Sequence, residues 1–448
     1  MIEKGGEYSF ATADHVDRGW IFCPEYAGGK PLEITPDGWD TRIFLFGPDS
    51  HFRHESVNDP LAEETRAKGS VETQREITLD ASTTNVSGSN PDEQQSPQPT
   101  DPSICLGTNL LTGAEVRWTL TVKGNPHLLL AGLPGMGKTT CLLSLCRQML
   151  EADIRPIIFS YHQDIDEKLE RLVPSVRFID FNGLGFNPLQ VSNRESRMAY
   201  LDVAGALRDI FVAIFPELGD IQGERIRKAI KESFVETGWN DPDVDLRRLS
   251  EPAFSRFVEI LRSEPKPDRG LKTLLARLEE LDDYGFFGAA ETQESLWDSQ
   301  VPIIIRIHST QNDNLQKAFA SLVFYGLYKD MFRRGTSDRI THALIFDEAH
   351  RAARLQLIPT MAKECRKYGI SLVLASQEAR DFNISLFSAI ANYLILRLTE
   401  TDAKVLARNV ASSDQERTLI DRIKQMDRFK AFYCCEGQKK PIPVALLE

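Results

Sequence analysis

The stretch His127–Thr140, HLLLAGLPGMGKTT, constrains this chain more than any other. It spells G-x-x-x-x-G-K-T through Gly132, Gly137, Lys138 and Thr139, with Gly135 inside the loop. The apolar run Leu128–Ala131 precedes it and a helical pattern, Thr139–Leu150, follows. Strand, glycine-rich turn and helix together identify a phosphate-binding loop. Glycines let backbone N–H groups close around phosphate oxygens, and the helix N-terminus adds the positive end of its dipole. Gly132, Gly135, Gly137, Lys138, Thr139 and Thr140 are therefore the expected nucleotide-binding residues. Lys138 should reach the β- and γ-phosphates, and the Thr139 hydroxyl should ligate Mg²⁺. The implied cofactors are ATP and Mg²⁺.

Around the loop, the chain reads as α/β. Residues 104–448 alternate strands and helices, which implies a mostly parallel sheet covered on both faces. Expected strands are Ile104–Gly107, Glu115–Val122, Leu128–Ala131, Pro156–Tyr161, Arg177–Phe181, Pro302–Ile307, His342–Asp347, Ile370–Ser376 and Tyr393–Leu398. The tail Phe429–Val444 is expected to close a sheet edge. A helical insertion at about 193–282 carries Glu195–Phe215, Gln222–Thr237, Pro252–Ser263 and Gly270–Asp282. Long helices are expected at Asn312–Arg334 and Ala353–Tyr368. Ahead of this core, residues 1–58 hold aromatics and short β-like runs and read as a small β-rich module. Residues 59–103 are rich in Ser, Thr, Pro, Gln and Asp, too poor in large apolar side chains to offset their ordering entropy, and read as a disordered linker.

Composition narrows the class. With 448 residues, 42% hydrophobic and 26% charged, a sizeable core is expected. No run approaches a membrane span, and the start lacks the pattern of a secretion signal. Seven scattered cysteines without metal-ligand spacing suggest reduced thiols and a cytoplasmic location. The net charge of −12 disfavours a broadly basic, DNA-coating surface, though not DNA held in the pore of a ring. His51 and His54 in HFRH have no Cys or His partners nearby and read as solvated loop residues.

The remaining chemistry lies downstream. In Leu344–His350, LIFDEAH, an apolar strand ends in two acids. Asp347 is suited to the Mg²⁺ shell and Glu348 to polarising the attacking water, which is most of what phosphoryl transfer requires. Gln377, at the tip of the next strand, can bond the γ-phosphate or that water, because ligand crevices lie at strand C-termini in such sheets. Arg366, in CRKYG, is the candidate for an arginine acting on a neighbouring subunit's nucleotide. Arg397, inside YLILRL, is the second candidate.

These pieces, in this order, resemble the HerA–FtsK superfamily of ring-forming P-loop ATPases. GNPHLLLAGLPGMGKTT is similar to the FtsK-type approach to the loop, with Thr139 where FtsK has Ser. The span DEAHRAARLQLIPTMAKECRKYGISLVLASQEARDF is similar to the HerA pattern, and the FtsK-like and HerA-like features together resemble DptH-type ATPases. The resemblance implies a RecA-like P-loop NTPase core. It also implies a homo-oligomer, a hexamer, and double-stranded DNA in the ring pore. By the same resemblance Lys138, Thr139, Asp347, Glu348 and Gln377 take the ATPase roles, and Arg366 acts across the subunit interface. HerA proteins pair with nucleases, so a separate nuclease or effector partner is implied, in phage defence or DNA end processing. Two features depart from the pattern. Ser160-Tyr161-His162-Gln163-Asp164 stands where HerA proteins often have Asp-x-His-Gly-Glu, and residues 1–100 do not match the HerA barrel. The spelling DEAH also suggests a helicase, but only about a hundred residues follow His350, too few for a second RecA-like domain. A nucleotide-dependent scaffold or switch that assembles a complex without pumping DNA is the non-motor alternative.

Overall fold

The computed structural model describes residues 44–46, 52–54, 101–173, 175–181, 186–287, 295–352, 357–438 and 440–447. The chain divides into two compact units, Met1–Gln94 and Gln95–Glu448. In the first, β1 (Phe44–Phe46) pairs antiparallel with β2 (Phe52–His54). His51, residues 59–100 and most of the expected N-terminal module lie outside the described residues.

The second unit is built on one sheet of 11 strands. In chain order these are β3 (Ser103–Asn109), β4 (Glu115–Thr119), β5 (Leu128–Ala131), β6 (Arg155–Ser160), β7 (Arg177–Ile179), β8 (Ile303–Arg306), β9 (His342–Phe346), β10 (Ile370–Ser376), β11 (Asn392–Ile395), β12 (Lys430–Cys434) and β13 (Ile442–Leu446). Their order across the sheet is β4-β3-β13-β12-β11-β5-β10-β9-β6-β8-β7. From β11 to β7 neighbouring strands run parallel; from β11 outward through β12, β13, β3 and β4 each pair is antiparallel.

The central strands are buried along their whole length, as parallel strands covered on both faces must be. Successive side chains point to opposite faces, and the two cores divide accordingly. Leu129, Ala131, Leu344 and Phe346 belong to one, and Leu128, Leu130, Ala343 and Ile345 to the other. The helix Lys138–Glu151 follows β5 and buries Cys141, Leu142, Leu145, Cys146 and Met149 on the second face. The insertion between β7 and β8 covers the first face. Its helices are Ala199–Ile214, Asp220–Glu236, Arg256–Arg262 and Arg269–Asp282, with Phe211, Phe254, Phe257 and Phe287 packed ring on ring at 5.0–6.5 Å. The long helix Asp313–Met331 packs beside the first of them.

Three expectations are corrected. The tail does not close the sheet edge. β12 and β13 lie inside the sheet, because β13 pairs with β12 on one side and β3 on the other. The edge is β4, whose exposed Glu115 and Arg117 pair with each other and suit a strand end-on to water. Arg397 is not inside a strand; β11 stops at Ile395, and Arg397 is exposed in the turn beyond it. Two helix starts in the insertion also fall later than their patterns suggest: Pro252 precedes the helix that begins at Arg256, and Glu195 the one that begins at Ala199. Of the expected helix 353–368, residues 357–364 are α-helical and Cys365–Tyr368 tighten to a 3-10 turn; residues 353–356 lie outside the described residues.

Candidate functional site

The phosphate loop leaves the C-terminal end of β5, which lies between β10 and β11. Both neighbours hold it. Gly132 N–H donates to Ser376 O at 3.0 Å and Leu133 N–H to Arg397 O at 2.8 Å. A Cβ on Gly132 would stand 2.8 Å from the Leu396 Cβ, and one on Gly137 would stand 2.6 Å from the Phe429 ring. Gly137 also has a φ of 107°, a backbone region that L side chains rarely adopt. These contacts explain why glycine occupies both positions without reference to phosphate.

A cavity of about 400 Å³ opens above the loop. Pro134, Gly135, Gly137, Lys138, Thr139 and Thr140 line one side, and Asp347, Glu348 and Gln377 the other. The crevice at strand C-termini thus collects residues from β5, β9 and β10, which lie side by side in the sheet. The Lys138 ammonium donates to Gly132 O at 2.8 Å and Leu133 O at 3.3 Å. Burial lowers its pKa, while Glu348 and Asp347 oppose that shift.

Asp347 continues β9 for one residue, its N–H donating to Phe159 O at 3.2 Å. Burial, then the Glu348 charge, push its carboxyl up to about 7. At Glu348 the backbone turns into the left-handed region, φ 65°. That turn directs the carboxylate to Gln377, whose amide donates to it, and leaves His162 Nε2 at 3.8 Å. A non-glycine residue there costs roughly 1–3 kcal/mol, a strain that concentrates at functional sites.

Four further residues line the cavity that the motifs did not single out as ligands: His162, Asp164, Lys168 and Arg428. The first three come from the turn after β6 and the helix Gln163–Leu172. Buried Asp166 anchors that helix: Ser160 Oγ donates to it at 2.6 Å, and His308 Nε2 lies 2.7 Å from its other oxygen. The signal for these was available, since β6 is a buried strand whose C-terminal end meets the crevice. Arg428 precedes β12 by two residues, and only the antiparallel pairing of β12 with β11 brings it to this edge.

Arg366 is not in the cavity. It is exposed, precedes β10, and donates to Gly124 O at 2.9 Å. It therefore sits at the edge of the sheet where the parallel strands begin, opposite the phosphate loop. Arg397 follows β11 at the loop's own edge.

The donor set fits a nucleotide with Mg²⁺. Among the described residues no three His, Cys, Asp or Glu side chains cluster to hold a metal by themselves. Mg²⁺ is characteristically bound by one or two protein oxygens plus substrate phosphates, and Asp347 and Thr139 face one cavity. Asp347 and Glu348 set two carboxylates on one wall of that cavity, where a cation would balance their charge.

No family model matches the chain. It is similar to the DNA import protein CedB of Sulfolobus acidocaldarius, 22% identical over 288 residues, which are 62% of this chain and 44% of CedB. The match thus spans less than half of that relative. Among solved structures, VirB4 of Thermoanaerobacter pseudethanolicus has a TM-score of 0.62 at 21% identity, over 77% of this chain and 96% of that one. The plasmid coupling protein TrwB, in complex with the ATP analogue ADPNP, has a TM-score of 0.54 at 13% identity, over 78% and 96%. TrwB in complex with ADP and Mg²⁺ has a TM-score of 0.51 at 15% identity, over 78% and 96%. The chain has the RecA-like P-loop NTPase fold of VirB4 and TrwB. No described helix is long and apolar enough to cross a membrane.

Proposed function

We propose that this chain is an ATPase of the HerA–FtsK superfamily that moves double-stranded DNA through a homo-oligomeric ring, with six subunits as the expected number. The observation that carries the ATPase part is the single cavity lined by Lys138, Thr139, Asp347, Glu348 and Gln377. The DNA part rests on the company the fold keeps: a DNA import protein in sequence and a conjugative coupling protein in structure.

In this reading the N–H groups from Gly135 to Thr140 hold the α- and β-phosphates, and Lys138 leaves its loop carbonyls to meet the β- and γ-phosphates. Thr139 and Asp347 would hold Mg²⁺, which would supply positive charge against the phosphate oxygens as charge develops. Glu348 orients a water on the γ-phosphorus and accepts its proton as the bond to the β-phosphate oxygen breaks. Gln377 holds that carboxylate in place. Arg366 of a neighbouring subunit stabilises the transition state, with Arg397 as the second candidate. A separate nuclease or effector, in phage defence or end processing, and a cytoplasmic location complete the proposal; residues 59–103 serve as a linker between a module at 1–58 and the ATPase domain at 104–448.

The net charge of −12 favours a second reading, a nucleotide-dependent scaffold that does not pump DNA. One experiment separates the two: ATP hydrolysis with and without linear duplex DNA, Lys138→Ala alongside, and the particle mass read in the same samples. A motor gives DNA-stimulated turnover at a mass near that of the ring. Turnover indifferent to DNA sinks the motor, and unchanged turnover in Lys138→Ala sinks the site.

A further inference from the structure

The corner Asp427–Phe429, between the helix Glu416–Lys424 and β12, takes no part in the mechanism above, yet it touches the phosphate loop at two points. Phe429 has a φ of 59°, the left-handed region for a bulky residue. Its N–H donates to Met136 O of the loop at 3.2 Å, and its carbonyl accepts from Leu446 N–H of β13 at 2.9 Å. Its ring fills the space that a side chain on Gly137 would need. Two backbone bonds and one ring contact therefore hold a conformation that the residue would not choose alone.

That conformation determines what Arg428 does. Its guanidinium lies 4.7 Å from the centre of the Phe429 ring, and the residue lines the cavity with Lys138, Thr139 and Thr140. It forms no ion pair with a described residue. A guanidinium stacked on an aromatic face keeps its N–H fork free for an anion, and planar forks suit phosphate oxygens. The side of the cavity matters. Phe429 packs against Gly137, at the start of the helix Lys138–Glu151, whereas Asp347, Glu348 and Gln377 come from β9 and β10. Loop residues around Gly137 face the α- and β-phosphates.

We propose that Arg428 is a nucleotide-binding residue, its guanidinium bonding α- or β-phosphate oxygens of a nucleoside di- or triphosphate held in the same chain's loop. The inference rests on the ATP-site reading above. It makes Arg428 indifferent to the γ-phosphate and distinct from the arginine supplied by a neighbour.

The test measures binding of fluorescent ADP and of a non-hydrolysable ATP analogue to the full chain. The variants are Arg428→Ala, Arg428→Lys, Arg428→Met and Lys138→Ala, each with its melting temperature. Arg428→Ala should weaken ADP and the analogue by the same factor, about tenfold or more, since charge-assisted bonds are the strong class. Arg428→Lys should recover part of that loss. Arg428→Met, which keeps apolar cover on Phe429 without the charge, should bind like Arg428→Ala. Melting temperatures should match the parent, because Arg428 is exposed. Parent-like binding by Arg428→Met would mean that Arg428 only packs the corner, and overturns the proposal. So does weakening confined to the triphosphate analogue, or unchanged ADP binding in Arg428→Ala while Lys138→Ala loses both ligands. Unchanged binding in Lys138→Ala overturns the ATP-site reading itself and this inference with it.

Discussion

Glu348 shows how much a single residue can carry at this site. Its neighbour Asp347 is held by the ladder to β6, and a continued strand would point Glu348 to the opposite face of the sheet. The left-handed turn at Glu348 brings both acids to one cavity and aims the second at Gln377. Gln is close in shape to Glu and keeps an oxygen for hydrogen bonding, but cannot accept the water's proton. Glu348→Gln should therefore bind nucleotide as the parent does, while hydrolysis falls by about 100-fold or more, the usual scale for a lost general base. Single-turnover assays beside equilibrium binding would check it; parent-like turnover would remove Glu348 from the mechanism. The pair was legible as Asp-Glu after an apolar strand. The turn that unites them was not, because a φ above zero at a non-glycine residue leaves no mark in the residue type.

At the scale of elements, the insertion between β7 and β8 is a layer whose aromatic cluster is continuous with the core on the sheet's first face. Phe257 is fully buried, with the rings of Phe211, Phe254 and Phe287 at 5.6–5.7 Å. Phe257→Ala leaves a hole that its ring neighbours cannot refill, at a cost of about 3–5 kcal/mol. Denaturant unfolding should show that loss, and ADP affinity should hold, since the phosphate loop draws its support from β10 and β11. A loss of ADP affinity equal to the loss of stability would mean that insertion and loop form one unit. The four helices were legible from apolar spacing. Two of their starts were not, because side chains before Ala199 and Arg256 are engaged in loop bonds instead. Arg194 donates to Leu246 O and Leu249 O, and Asn187 to Pro252 O.

Over the whole molecule, two buried histidines tie the sheet's stability to pH. His127 Nδ1 accepts from Leu372 N–H at 3.0 Å, and His342 Nδ1 lies 2.9 Å from the Arg334 guanidinium, which can only donate. Each ring must be neutral in this arrangement. Burial lowers His127 to about 4 and His342 to about 3, with Arg366 adding to the first and Arg334 to the second. A depressed folded-state pKa means that the unfolded chain binds the proton first. The contribution is complete above about pH 6.5 and drains away as pH falls toward 4, by about 3 kcal/mol for each residue. Melting curves from pH 7.5 to 4.5 should fall steeply below 6.5, and His127→Gln should flatten that fall; an unchanged slope would refute the assignment. The proposed ring makes its own demand. Arg366 lies across the sheet from its own chain's loop, so Arg366→Ala should lose turnover while ADP affinity holds. Mixing it with Lys138→Ala, which retains Arg366, should restore activity in part if the arginine acts between chains. Mixtures as inactive as either variant alone would place Arg366 outside catalysis.

What the sequence determined by itself was the set of local instructions. The phosphate loop, the acid pair at a strand end, the Gln at the next strand's tip and the buried parallel strands all depend on neighbours within a few residues, and short-range pattern preserves them. What only the tertiary structure decided was adjacency across the sheet. The tail strands went to the interior because β13 had hydrogen-bonding edges to offer both β12 and β3, a choice between long-range pairings that apolar runs alone do not rank. The same antiparallel return carried Arg428 and Phe429 to the phosphate loop, some 290 residues after Lys138 in the chain, while Arg366, ahead of the parallel strand β10, stays at the far edge. Hydrogen-bond pairing between distant segments, not the character of the residues, drew that map.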